Sequence, residues 1–200
     1  TLVAAYKFPN RWLGYAKVGT GYRAGGFNYN LGDPRQPIPI PSSYDNEVST
    51  TYELGAKGNL MPGVFATAAA YKTKVKDFIA GGNNGCAAGS ACPVASTPFL
   101  FNGGNAESWG LEAEINTTLS VAGGRLRVGL GGSRQDGKVV KGLYKDAPLP
   151  QVPDWTASGS LNYRKPLQTD VSLFGNVNYQ AAWGGISELV PAGTAFYNPA

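Results

Sequence analysis

Histidine is absent from the 200 residues. That removes the usual base of a nucleophilic triad and the commonest metal ligand together. Cysteine occurs twice, as Cys86 and Cys92 in "CAAGSAC". The spacing is not that of a zinc site, and one pair cannot complete four ligands; a small loop disulfide, formed in an oxidising compartment, is the expectation. Charged residues make up 15%, against about 25% in soluble domains. No apolar run nears the roughly 18–20 residues of a membrane helix, and no charged-then-apolar leader opens the sequence. The formal charge is +4, yet the basic residues are scattered, with no cluster longer than "KTKVK", so no nucleic-acid footprint emerges. Neither a catalytic constellation, a metal site nor a cofactor site is expected.

What is present is a period of two. In "STTYELGAKGNL", Thr50, Tyr52, Leu54, Ala56 and Leu60 oppose Ser49, Glu53, Lys57 and Asn59, which is strand alternation. From Phe65, the same reading places Phe65, Ala69, Tyr71 and Val75 on the apolar side and Lys72, Lys74 and Lys76 on the polar side. From Trp109, Leu111, Ala113 and Ile115 oppose Glu112, Glu114 and Asn116. Leu126, Val128 and Leu130 oppose Arg125 and Arg127; Trp155, Leu161 and Tyr163 oppose Thr156 and Asn162; Val171, Val177, Tyr179 and Trp183 oppose Asn176 and Gln180. Leu2, Ala4 and Tyr6 oppose Lys7, and Trp12, Ala16 and Val18 oppose Lys17. The total is about eight strands.

Two architectures alternate in this way, a soluble sandwich and a membrane barrel. The apolar faces are rich in Ala, Gly and Thr, too light for a packed core. Trp155 and Tyr163 close the two ends of one stripe, a height of roughly 20 Å for tilted strands, matching the apolar band between two aromatic girdles. Connections alternate: short at 9–10, 61–63, 121–124 and 166–169, long at 24–48, 81–105, 137–153 and from 184. Outer-membrane barrels make short periplasmic turns and long outer loops. The expected fold is therefore all-β, an antiparallel up-and-down transmembrane barrel, and the sequence reads as an arc of a larger one. A passive porin and a soluble carbohydrate-binding β-sandwich are the rival readings.

The stretch "GTGYRAGGFN" fits the dinucleotide fingerprint G-x-G-x-x-G/A in its letters. That fingerprint needs a helix to begin inside it and receive the pyrophosphate. The chain instead continues into a proline-rich run from Pro34 to Pro41 with no helical period. In a barrel, Gly19 and Gly21 leave room on the polar face, and Gly25 and Gly26 release the chain into a loop.

The ordered set "GYRAGGFN", "TYELGAKGNL", "ATAAAYKTKVKDFI", "NGGNAESWGLEAEI" and "VPDWTASGSLNYRKPL" resembles the C-terminal half of the barrel of TonB-dependent outer-membrane receptors. The resemblance covers nearly all of residues 1–200 and implies a partial barrel domain, about eight strands of a barrel of roughly 22. The plug domain, the TonB box and the closing strands fall outside the piece. It implies a bacterial outer-membrane receptor, not an enzyme, that imports a scarce bulky ligand such as a ferric siderophore. The implied partners are its own plug, the periplasmic TonB complex, and the lipid and lipopolysaccharide of the outer membrane. Expected wall residues facing the plug are Lys17, Glu53, Lys57, Lys72, Lys74, Glu112, Glu114, Arg127 and Arg164. Expected ligand-loop residues are Arg23, Phe27, Tyr29, Arg35, Tyr44, Phe99, Phe101, Lys141, Tyr144 and Lys145, since aromatic and basic groups suit an anionic aromatic chelate. Glu112 and Glu114, about 6.6 Å apart along a strand, fit a glycosidase pair in spacing alone; nothing else supports catalysis.

Overall fold

The computed structural model describes residues 1–200 except 10, 34, 36–38, 85–96, 151 and 186–200. Cys86 and Cys92 lie outside the described residues. In chain order the strands are β1 (Leu2–Lys7), β2 (Leu13–Arg23), β3 (Gly26–Phe27), β4 (Ser43–Tyr44), β5 (Glu47–Met61) and β6 (Val64–Lys76), then β7 (Ile79–Asn83), β8 (Pro98–Asn102), β9 (Asn105–Val121), β10 (Gly124–Lys141), β11 (Trp155–Gln168) and β12 (Val171–Trp183). No helix occurs among the described residues.

Eight strands form one antiparallel sheet in the order β1-β2-β5-β6-β9-β10-β11-β12. Among the described residues each strand pairs only with its immediate neighbours in that order, so β1 and β12 have one partner each. The tight turns between them use left-handed backbone where the chain reverses: Arg11 at φ 65°, Gly63 at 80°, Ala122 at 48° and Gly123 at 77°. The intervening long connections carry two small hairpins, β3–β4 and β7–β8. The β9–β10 ladder also runs on to Asn105↔Lys141, so the third loop is shorter than the sequence pattern suggests.

Residues directly opposite one another across a ladder share a face, and the register thereby sorts every side chain. One face collects Val18, Tyr52, Leu54, Leu111, Ile115, Leu130, Leu161 and Val177. The other collects Lys17, Glu53, Glu112, Glu114, Ser133, Ser158 and Asn178. Little of the apolar face is buried: Leu54 is 65% and Leu130 59% exposed. These side chains need an apolar surrounding that the chain itself does not supply.

β6 departs from expectation. Its register pairs Tyr71 with Glu53 and Gly110, and Ala69 with Gly55 and Glu112, so Phe65, Ala69, Tyr71 and Val75 lie on the polar face. Lys72 pairs with Tyr52 and Trp109, and Lys74 with Thr50 and Glu107. Lys72, Lys74 and Lys76 therefore stand on the apolar face, at its loop end, and are exposed. The expected inward placement of Lys72 and Lys74 is overturned. The physical reason is that Ala66, Ala68 and Ala70 make the true apolar stripe of β6, and alanine carries almost no facing signal. Tyr71 is needed inside, where it covers Gly110 and donates to Gln135 Oε1 at 3.0 Å.

Candidate ligand site and polar wall

The loop end of the sheet is built by short hairpins tied together through side-chain amides. Asn28, just after β3, donates to Pro41 O and Leu100 O, both at 2.8 Å, and accepts from Leu100 N at 3.0 Å. Asn102 accepts from Asp45 N at 2.7 Å and donates to Asp45 O at 3.1 Å and Asp77 O at 2.8 Å. An amide offers a donor and an acceptor at once, so it can replace a missing backbone partner on both sides. Loops one and two are thus docked, with Leu100 as the hub.

On either side of Leu100, Phe99 and Phe101 form an aromatic cluster with centroids 5.5 Å apart, and Tyr144 of loop three joins at 5.9 Å from Phe101. Gly82 lies beneath it, because a Cβ there would stand 2.7 Å from the Phe99 ring. Burial against this cluster pushes the Tyr144 phenol pKa up. Loop three is held by its own backbone: Val139 N donates to Ala147 O at 2.9 Å and Asp146 N to Val139 O at 2.8 Å. Lys141 and Lys145 are exposed beside it, and their ammonium groups have no partner among the described residues. Phe27 is 75% and Tyr29 100% exposed.

Three expected ligand residues are engaged elsewhere. Arg23 donates to Ile79 O at 2.7 Å and sits 3.7 Å from Glu47, whose carboxylate accepts from Ile79 N at 2.8 Å; together they anchor the start of β7. Arg35 forks onto Asp33, with Nε to Oδ1 at 2.9 Å and Nη2 to Oδ2 at 2.6 Å. That guanidinium holds the Asp33 carboxyl down at about 2. Tyr44 lies half-buried over Gly26. Sequence reasoning alone misses Asn28, Asn102 and Glu47. The signal for the two amides is their place beside glycine and turn residues at strand ends.

The polar face is zoned by charge. Near its middle, Glu53 accepts from Tyr15 OH at 2.7 Å and Lys17 Nζ at 3.0 Å. Glu53, Glu112 and Glu114 border a hollow of about 340 Å³ with Tyr15, Ser133 and Ser158. Glu114 accepts from Asn116 at 2.7 Å, whereas the Glu112 carboxylate has no hydrogen-bond or ion-pair partner among the described residues. Toward the short-turn end, Arg125 stands directly opposite Arg164 and Arg127 opposite Asn162, around a second hollow of about 320 Å³. Lys57 is exposed on the same face. Carboxylates at mid-height and guanidiniums at one end can grip a partner of complementary charge; no metal-ligating group of three occurs among the described residues.

Residues 2–200 match the family described as TonB dependent receptor-like, beta-barrel. No curated protein matches the chain in sequence. Among solved structures, the ferric yersiniabactin uptake receptor FyuA from Yersinia pestis is similar, with a TM-score of 0.62 and 22% identity. The match covers 90% of this chain and 25% of that one, so the chain spans about a quarter of that receptor's length.

Proposed function

This chain belongs to the TonB-dependent receptor β-barrel family, and from that premise we propose that it forms an arc of an outer-membrane receptor importing a ferric siderophore with energy from the TonB complex. In this reading the apolar face meets hydrocarbon, and the polar face meets the plug domain and water. The zoned charges then have complements: basic plug groups at Glu112 and Glu114, acidic ones at Arg127 and Arg164. No bond is made or broken; the barrel binds, orients and releases.

The observation that carries the ligand class is the Phe99–Phe101–Tyr144 cluster, with Lys141 and Lys145 exposed on either side of Tyr144 along the chain. Planar rings stack on aromatic chelating groups, and cations attract the anionic complex. Fold likeness to a receptor named for ferric yersiniabactin uptake agrees with that class. The test uses the full-length receptor in iron-starved cells. Phe101→Ala with Lys141→Ala should weaken ferric-siderophore binding at least about tenfold, read as quenching of loop fluorescence, and uptake should stop when TonB is de-energised. Uptake that persists without energised TonB would establish the passive-porin reading instead.

A further inference from the structure

We propose that Asn102 is a site of spontaneous covalent modification, deamidation through the backbone nitrogen of Gly103, and that docking of the loops governs its rate. The chemistry needs only the loop geometry and stands apart from the transport reading. Asn–Gly occurs twice in the sequence, as Asn84–Gly85 and Asn102–Gly103, and asparagine ranks among the thermolabile residues. Gly85 lies outside the described residues. Asn102 closes β8, and Gly103 and Gly104 carry the chain to the start of β9. With no side chain on Gly103, nothing at that residue screens its nitrogen from the asparagine amide.

The fold requires both members of this pair. At Asn102 it needs an amide, because the side chain accepts from Asp45 N and donates to Asp45 O and Asp77 O. At Gly103 it has room for little more than hydrogen: the residue is buried, and a Cβ there would lie 3.3 Å from Ala80 Cβ. Gly104 follows at φ 116°, where a Cβ would run into Lys141 O. The lability is thus built in, and docking holds it in check. Gly103 N donates to Phe78 O at 2.7 Å, so its proton is held while the three side-chain bonds fix the amide. Reaction requires both sets of bonds to open together, and its rate follows the population of the undocked loop.

In the undocked loop, base removes the Gly103 amide proton and the nitrogen attacks Asn102 Cγ. The new N–Cγ bond replaces Cγ–Nδ2, and Nδ2 leaves as ammonia with a proton equivalent to the one Gly103 lost. Water then opens the five-membered imide at either carbonyl, giving aspartate or, with one extra carbon in the main chain, isoaspartate. Nothing is oxidised or reduced. Either product lacks the two amide donors, so Asp45 O and Asp77 O lose their partner and face a carboxylate. Asp45 and Asp77 bring two further carboxylates to the same corner. Isoaspartate in addition shifts Gly103 N away from Phe78 O. Free ammonia is too dilute to reverse the step, so a modified loop stays undocked.

The experiment uses the full-length protein in detergent, held in mildly alkaline buffer. Peptide mass spectrometry counts aspartate and isoaspartate at the Asn102 position, and exchange of the Leu100 amide is followed in parallel. Asn28→Ala, which frees Leu100 from loop one, should speed conversion of Asn102 at least about tenfold. Adding Gly103→Ala should remove that gain while Leu100 goes on exchanging fast, because a methyl group then screens the nitrogen. Asn102→Asp, which installs one of the two products, should speed Leu100 exchange by a similar factor in freshly made protein. Conversion that is unmoved by Asn28→Ala, undiminished by Gly103→Ala, or confined to the peptide carrying Asn84 overturns the proposal. Leu100 exchange as slow in Asn102→Asp as in the unaltered protein overturns the claim that modification leaves the loop undocked.

Discussion

At the scale of single residues, bare glycine backbone is repeatedly covered by a neighbouring ring: Tyr15 over Gly55, Trp12 over Gly58, Tyr71 over Gly110 and Tyr163 over Gly124. Each ring lies against the adjacent strand and shields ladder hydrogen bonds that glycine leaves open. This use of Tyr71 is what the bare alternation of β6 conceals. A tyrosine at strand spacing among alanines points to the apolar face, and only the opposite residues, Glu53 and Gly110, show that it faces the other way. Ala68→Arg should therefore destabilise the barrel by about 2–4 kcal/mol near mid-membrane, and Ala69→Arg, beside Glu112, far less; urea unfolding in lipid vesicles measures both. In the first loop, the Asp33 carboxyl sits at about 2 against an ordinary 3.8 because Arg35 donates to it. A depressed carboxyl pKa means the pair contributes order that is fully present above about pH 4 and disappears as the pH falls through about 2. Arg35→Ala should bring the Asp33 titration back toward its ordinary value, as read by carboxyl NMR shifts.

At the scale of elements, strands and tight turns are legible in the sequence because each rests on local chemistry. Period-two alternation places eight strands, and the turn residues around Gly63 and Gly123 place the reversals. The loops are less so. β3–β4 and β7–β8 are built of strands two to five residues long, too short for alternation to register, and their docking depends on Asn28 and Asn102 reaching residues far along the chain. Arg23 and Arg35 look like ligand cations in the sequence because their partners, Ile79 O and Asp33, cannot be read from composition. Asn28→Ala removes three side-chain bonds to Pro41 and Leu100, each contributing about 0.5–1.5 kcal/mol. Loop two should then exchange its Leu100 amide faster by hydrogen–deuterium exchange, with the β5–β6 ladder unchanged.

At the scale of the whole molecule, the sheet has, among the described residues, two unpaired edges and one face of exposed apolar side chains. Residues 1–200 expressed alone should aggregate in buffer and stay insoluble without detergent; a monodisperse, cooperatively melting species in light scattering and calorimetry would contradict the outward orientation of that face. The pairing order has one more implication. Because, among the described residues, every strand of the main sheet bonds only to its predecessor and successor in it, that fabric holds no crossing that depends on distant sequence. A gene could gain or drop one complete hairpin and leave all remaining seams intact, so ancestry by tandem copying of a single up-down unit needs no rewiring at any step.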